Sequence, residues 1–398
     1  MEPEELPHWL RLELTPGVGP VVTCRLLKAI GSPEAVFRQS QDALAAVVGP
    51  VLAHALKQCP PEHALLTAKA QAWLVNGRPE PWSRRVLGWA DADYPAPLLE
   101  LHDPPPLLWV MQPSQMSSGQ MPLVWPQALA VVGSRNPSAQ GTLNAQAFAR
   151  ALADAGCTIV SGLALGIDTA AHRGALASRA PWPTVAVVGT GLDRVYPRQN
   201  AELARAIAQR GLILSELMPG TPPLPAHFPR RNRLIAALSR GTLVVEAALG
   251  SGSLITAKLA ADMGRDVFAV PGSIHLTTAR GCHALIREGA QLVEQAQDIL
   301  HALPGLGCTP SDAARSEASL AHVATSGPGN ADDSISSGPR HAGTKVLQAL
   351  GHDPADLDSL SIRTGLPVAA LQAALLELEL SGRVARSDGG RYMQLVGA

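Results

Sequence analysis

Leu129-Ala130-Val131-Val132-Gly133-Ser134-Arg135 joins four consecutive aliphatic residues to a small, cationic turn. An apolar run without alternation suits a strand buried on both faces, and the glycine behind it suits a tight turn into a helix. Similar short runs recur at 157–160, 184–188, 212–215, 242–246, 266–270 and 291–293, with helical stretches between them. Strands alternating with helices predict an α/β fold whose parallel sheet is covered on both faces. Crossovers of this length require right-handed, doubly wound, Rossmann-like connections.

The flanks read differently. Residues 1–78 read as short helices interrupted at Pro16-Gly17-Val18-Gly19-Pro20, the pattern of a small helix-hairpin-helix or sterile-alpha-motif (SAM)-like domain. Residues 79–127 are rich in Pro and Trp and read as an extended connector, leading into a Rossmann-like domain over 128–303. Ser, Ala, Gly, Asp and Pro dominate 304–343, the composition of a flexible linker. Residues 344–398 read helix, helix, a Gly365-Leu366-Pro367 turn, helix, and two short strands around Asp388-Gly389-Gly390, a winged-helix order.

Composition narrows the function. Hydrophobic residues make up 46% of the 398 and charged residues 16%, a globular balance large enough for several domains. Apolar runs fall far short of the ~20 residues that span a bilayer, and Met1-Glu2-Pro3-Glu4-Glu5 does not resemble a secretory signal, so a cytoplasmic protein without membrane contact is expected. Cys24, Cys59, Cys157, Cys282 and Cys308 are odd in number and widely spaced, and no histidine cluster has zinc spacing; no metal is expected. Net charge is −1, but 128–300 holds fifteen Arg and one Lys against eleven acids, so the middle is +5 and the remainder −6.

Small and polar residues follow the strands in turn: Gly133-Ser134-Arg135, Ser161-Gly162, Gly189-Thr190-Gly191, Ser215-Glu216, Glu246 with Ser251-Gly252-Ser253, and Pro271-Gly272. In an open parallel sheet these ends share one edge, where glycines admit a ligand to the backbone and helix N-termini attract anions. A dinucleotide fingerprint fails because Arg194 stands where the third glycine belongs, and Lys258 is out of register for a P-loop. No cofactor and no nucleotide hydrolysis are expected. Phe228-Pro229-Arg230-Arg231-Asn232-Arg233, read as a loop leading into a helix, adds three guanidiniums suited to phosphates. Phe228 and Tyr196 admit two readings, as platforms for stacked bases or as core aromatics. Asp168, Asp193, Glu216 and Glu246 read as helix caps or arginine partners, since no nucleophile and base accompany them.

Taken in order, Val132-Gly133-Ser134-Arg135, Ser161-Gly162-Leu163-Ala164-Leu165-Gly166-Ile167-Asp168, Gly189-Thr190-Gly191-Leu192-Asp193 with Tyr196-Pro197 and Asn200, Phe228 to Ala236, Val245-Glu246-Ala247 with Ser251-Gly252-Ser253-Leu254, and Val270-Pro271-Gly272 resemble the DNA-processing protein A (DprA/Smf) family. The resemblance covers 128 to about 293, and the flanking domains are similar to those of longer members. It implies a homodimer that binds single-stranded DNA, protects it and delivers it to the recombinase RecA in natural transformation, with no covalent chemistry. Arg135 and Arg230 to Arg233 become phosphate ligands under this resemblance, and Ser161, Gly162, Gly166, Gly189 and Gly191 become pocket walls. The full candidate DNA-binding set adds Gly133, Ser134, Thr190, Phe228, Asn232, Ser251, Gly252 and Ser253. One departure is Ala180-Pro181-Trp182-Pro183, where relatives run Gly-Gly into the third strand.

Two rivals are weaker. A Rossmann-like nucleotide-processing phosphoribohydrolase uses a Pro-Gly-Gly-x-Gly-Thr run, whereas Pro271-Gly272 continues as Ser273-Ile274. A duplex-reading regulator would need a basic recognition helix, but Val368 to Leu380 carries Glu377 and Glu379 and no Lys or Arg. A protein-contact role is expected for the winged helix.

Overall fold

The computed structural model describes residues 1, 4–75, 81–116, 119–121, 124–307, 340–350, 355–387 and 390–395. Six helices open the chain: α1 (Leu6–Leu14), α2 (Pro20–Ile30), α3 (Pro33–Arg38), α4 (Gln41–Val48), α5 (Pro50–Lys57) and α6 (His63–Val75). Prolines stand in the first turns of α1, α2, α3 and α5, where the missing N–H has no intrahelical partner to lose. Ser32 and Ser40 cap α3 and α4 through their hydroxyls.

Strand β1 (Trp82–Gly88), helix α7 (Ala96–Leu99) and strand β2 (Leu107–Pro113) come next. The described residues of 79–127 therefore hold two strands and a short helix where an extended connector was expected. β1 pairs antiparallel with β2, and β2 pairs antiparallel with a strand of the main sheet through Trp109, Val110 and Met111. Leu107, Leu108, Trp109 and Val110 form an unbroken buried run, so hydrophobic burial draws this stretch onto the sheet despite the flanking prolines.

The main unit runs β3 (Ala128–Val132), α8 (Ala139–Asp154), β4 (Thr158–Ser161), α9 (Ile167–Leu176), β5 (Thr184–Val187), α10 (Ala201–Arg210), β6 (Leu212–Ser215), α11 (His227–Leu238), β7 (Gly241–Val244), α12 (Gly252–Asp262), β8 (Asp266–Ala269), α13 (Arg280–Arg287), β9 (Gln291–Leu292) and α14 (Ala296–Ala302). All seven strands foreseen from the apolar runs are present, with ends shifted by at most two residues. The sheet order is β1-β2-β6-β5-β4-β3-β7-β8-β9, and β3 to β9 pair in parallel.

Each face of the sheet buries its own core. Leu234, Ile235 and Leu238 of α11 and Ala257 of α12 pack on one side, and Ala145, Leu152 and Ala171 of α8 and α9 on the other. Trp9 of α1 and Trp73 of α6 join Trp109 and Ile207 in a third cluster, which packs the N-terminal helices against β2 and α10. The Ala180-Pro181-Trp182-Pro183 turn holds its neighbour through backbone, with Thr158 Oγ1 donating to the Trp182 carbonyl and Ile159 N to that of Pro183.

The winged-helix order is present as α15 (Arg340–Leu350), α16 (Leu357–Thr364), α17 (Val368–Leu380), β10 (Val384–Ser387) and β11 (Arg391–Gln394). Gly365 ends α16 in the left-handed conformation, and Leu360, Leu371 and Leu375 build a separate small core. Of the expected linker 304–343, residues 308–339 lie outside the described residues. Among the described residues no single helix is long and apolar enough to cross a membrane.

Candidate nucleic-acid interface

The chain leaves β3 toward β4, β5 and β6, then returns to β7 on the other side and continues to β8 and β9. Connections diverging from neighbouring strands leave a crevice at their carboxyl ends. It has a volume of about 650 Å³ and sits between the turn after β3, the start of α9, the N-terminus of α12 and the first turns of α11. Gly133, Ser134, Arg135, Phe228, Arg231, Asn232, Ser251, Gly252 and Ser253 of the candidate set line it. The crevice is narrower than six strand ends would make it, because its walls come mainly from the β3 and β7 ends.

Its exposed face combines one cation with two aromatic rings. The Arg135 guanidinium lies 5.8 Å from the Phe228 ring centroid, and the Tyr196 ring lies 5.5 Å from Phe228 at 37°. Tyr196 is 49% exposed and Phe228 is half-buried outside every core cluster, which rules out the core reading for both rings. On the opposite wall Ser251 caps α12, accepting from Ser253 N, and its hydroxyl lies 2.7 Å from that of Ser253. A helix N-terminus and an arginine lining one crevice suit a phosphate, and an aromatic ring beside them suits a base.

The arginines on α11 divide. The stretch from Phe228 to Arg233 is helical rather than a loop, since Pro229 falls in the first turn, where proline is tolerated. Arg231 and Arg233 are two residues apart, about 200° around the axis, so one helix cannot aim both into the crevice. Arg231 points inward beneath it: the side chain is buried, Nη1 donates to the Val187 carbonyl at 2.7 Å, and Asp168 supplies the nearby opposite charge. Burial lowers its pKa to about 10 and raises that of Asp168, each shift opposed by the other's charge. Arg233 turns to the far side, where Nη2 donates to Glu216 at 2.7 Å and Nε to Asp103 at 3.0 Å. Arg230 stays exposed with Glu216 at 3.3 Å. Neither Arg230 nor Arg233 lines the crevice.

The remaining candidates lie one layer behind. Gly162 clears the path of Arg231, since a Cβ there would lie 1.7 Å from its Nη1. Gly166, at φ +78°, lets the start of α9 cross the β3 turn, where a Cβ would stand 2.3 Å from the Ser134 carbonyl oxygen. Ser161 Oγ donates to Val131, while the Thr190 carbonyl accepts from Ser215 Oγ. Gly189 faces the Phe228 ring, and Gly191 N donates to Thr221. Asn136, Ala164 and Asp168 line the crevice but were not in the candidate set; their positions, flanking Arg135 and Gly166, were the available signal.

The carboxylates behave as caps and partners. Glu246 accepts from Ser138 N and Oγ at the start of α8, and Asp168 accepts from Gly162 N and Ala164 N. Asp193 accepts from Gly220 N, and Glu216 holds Arg230 and Arg233.

Known proteins resemble this chain in sequence and in fold. The family model "DNA recombination-mediator protein A" matches residues 85–304, and the "DprA winged helix domain" model matches 337–390. Protein Smf of Synechocystis sp. is 34% identical over 99% of this chain and 100% of its own. DNA processing protein DprA of Streptococcus pneumoniae is 48% identical over 53% of this chain and 71% of its own. The X-ray structure of DNA processing protein A from S. pneumoniae superposes with a TM-score of 0.61 at 36% identity, covering 76% of this chain and 98% of that one.

Proposed function

Because the chain belongs to the DNA recombination-mediator protein A family, also called DprA or Smf, we propose that it binds single-stranded DNA in the switch-point crevice. The observation that carries this reading is the exposed Arg135 guanidinium over Phe228, with Tyr196 beside them. A base stacked at the Phe228–Tyr196 rim, with its phosphate between Arg135 and the N-terminus of α12, uses the exposed cation, both rings and the helix end. Duplex DNA hides its base faces, so the aromatic rim selects single strands. Phosphate and ring contacts carry no base code, so recognition is tolerant of sequence.

The protein acts by holding DNA rather than by breaking bonds. The crevice carboxylate, Asp168, accepts from two backbone amides, and the carboxylates behind it, Glu246 and Glu216, hold a helix start and an arginine, which leaves all three poorly placed as general bases. Within the family reading, a homodimer formed through the Rossmann-like domain protects the strand and loads RecA onto it during transformation. Equilibrium titration of single- and double-stranded oligonucleotides of one sequence tests the DNA claim. The single strand should bind more tightly by the worth of one or two stacked bases, roughly 1–3 kcal/mol each; equal affinity would refute it.

A further inference from the structure

Beyond the Tyr196 ring lies a second cavity, of about 150 Å³, between the turn after β5, helix α10 and strands β1, β2 and β6. Its wall is apolar, with Leu163, Val188, Leu192, Val195 and Ile213 among the lining residues. Arg194 and Arg205 also border it, and both side chains are exposed. Trp82 forms another side, and its indole Nε1–H is buried with no acceptor among the described residues. Tyr196 lines this cavity and the crevice alike, so the two are neighbours across one ring.

We propose that this cavity is a second nucleotide subsite, which takes the base of a nucleotide beyond Tyr196 while Arg194 and Arg205 hold its phosphates. The proposal rests on the single-strand reading of the crevice and extends the DNA path past the aromatic rim. Size, an apolar wall and a cationic mouth match a flat base joined to an anionic backbone. Charge complementarity selects the occupant, because an apolar protein side chain would have no use for two exposed guanidiniums at the opening. Arg194 is shared with Asp193 at 3.0 Å, which leaves Arg205 as the stronger phosphate ligand of the two.

The test is a length series of oligothymidylates titrated against the full chain. One oligonucleotide is short enough to occupy only the crevice and another long enough to pass Tyr196. For the wild type, lengthening should raise affinity about tenfold beyond the statistical gain, the scale of one sequestered base. Arg205→Glu, an exposed change that leaves the core intact, should abolish that gain and keep wild-type affinity for the short strand. Ala204→Phe, which fills the cavity from α10, should do the same. An abasic nucleotide scanned along the long strand should reveal one position that matters beyond the rim in the wild type and not in Ala204→Phe. If lengthening helps Arg205→Glu and Ala204→Phe as much as the wild type, the cavity is off the DNA path and the inference fails, while the crevice reading stands. If the wild type binds neither length, both readings fail.

Discussion

Two layers of charge lie within a few residues of each other, and they do opposite work. In front, Arg135 is exposed over Phe228 and faces an open crevice. Behind, Arg231 is tied to the Val187 carbonyl beside Asp168, and Arg233 is clamped between Glu216 and Asp103. An exposed guanidinium is free to exchange its counterions for a phosphate, whereas a buried one is committed to its partners and stabilises the fold. The contrast teaches that richness in arginine near a crevice does not itself measure ligand contacts. Substitutions in the rear layer should move stability, and those in front should move binding.

The largest effect is expected at Glu216, whose side chain is 4% exposed and serves both Arg230 and Arg233. Glu216→Ala leaves the buried Arg233 guanidinium with Asp103 alone among the described residues, and urea denaturation should show a loss of about 3 kcal/mol, the low end for a broken buried pair. Unchanged stability would dissolve the distinction between the layers. Next comes Gly162→Ala, whose Cβ would collide with Arg231 and displace it from Val187. Overpacking of this kind costs about 1–3 kcal/mol, and a thermal melt matching wild type would mean that Arg231 is not held there.

A pH dependence sharpens the comparison further. Thr184 Oγ1 donates to the Ile159 carbonyl and so accepts from His172 Nδ1–H, which leaves His172 Nε2 buried and without a partner among the described residues. Burial, helped by the Arg231 charge, lowers the His172 pKa from 6.5 to about 3. The unfolded chain therefore takes up a proton below pH 6.5 that the folded chain refuses. This contribution to stability is complete above pH 6.5 and falls by about 1.4 kcal/mol per pH unit on acidification toward 3. His172→Gln should remove that slope between pH 6.5 and 5, as read from denaturation midpoints; an identical slope in both proteins would place the ring in contact with water. The smallest effect is expected at α17 of the winged helix, which presents exposed Ala369, Gln372, Ala373 and Leu376 and no Lys or Arg. Gln372→Ala should change oligonucleotide affinity by less than about twofold, since phosphate contacts rather than neutral side chains dominate affinity. A larger loss would bring that helix into the DNA path.

Much of this layout was legible in the residues. Continuous aliphatic runs located the parallel strands, and the Gly-Ser-Arg turn after the first located the crevice wall. The sequence reading missed two things, for different reasons. Residues 107–113 join the sheet because Leu107 to Val110 are all buried, but prolines on both sides masked the run. The division of Arg231 from Arg233 was hidden because the stretch was read as a loop, and in a loop spacing says nothing about direction. Once the stretch is helical, separation by two residues places the side chains on opposite sides. Tyr196 and Phe228 show a further limit: both stand in polar surroundings, yet only the fold brings their rings within 5.5 Å.

The central claim is tested most directly by the salt dependence of oligothymidylate binding for wild type, Arg135→Ala, Phe228→Ala and Arg233→Ala, each first shown to be folded by circular dichroism. Arg135→Ala should bind more weakly, with a log–log salt slope shallower by about 0.7 for one lost phosphate contact. Phe228→Ala should also bind more weakly, by about 1–3 kcal/mol for one lost stack, with the slope nearly unchanged. Folded Arg233→Ala should keep the wild-type slope. Wild-type affinity and slope in folded Arg135→Ala, or a shallower slope in Arg233→Ala alone, would contradict the placement of the DNA strand in the switch-point crevice.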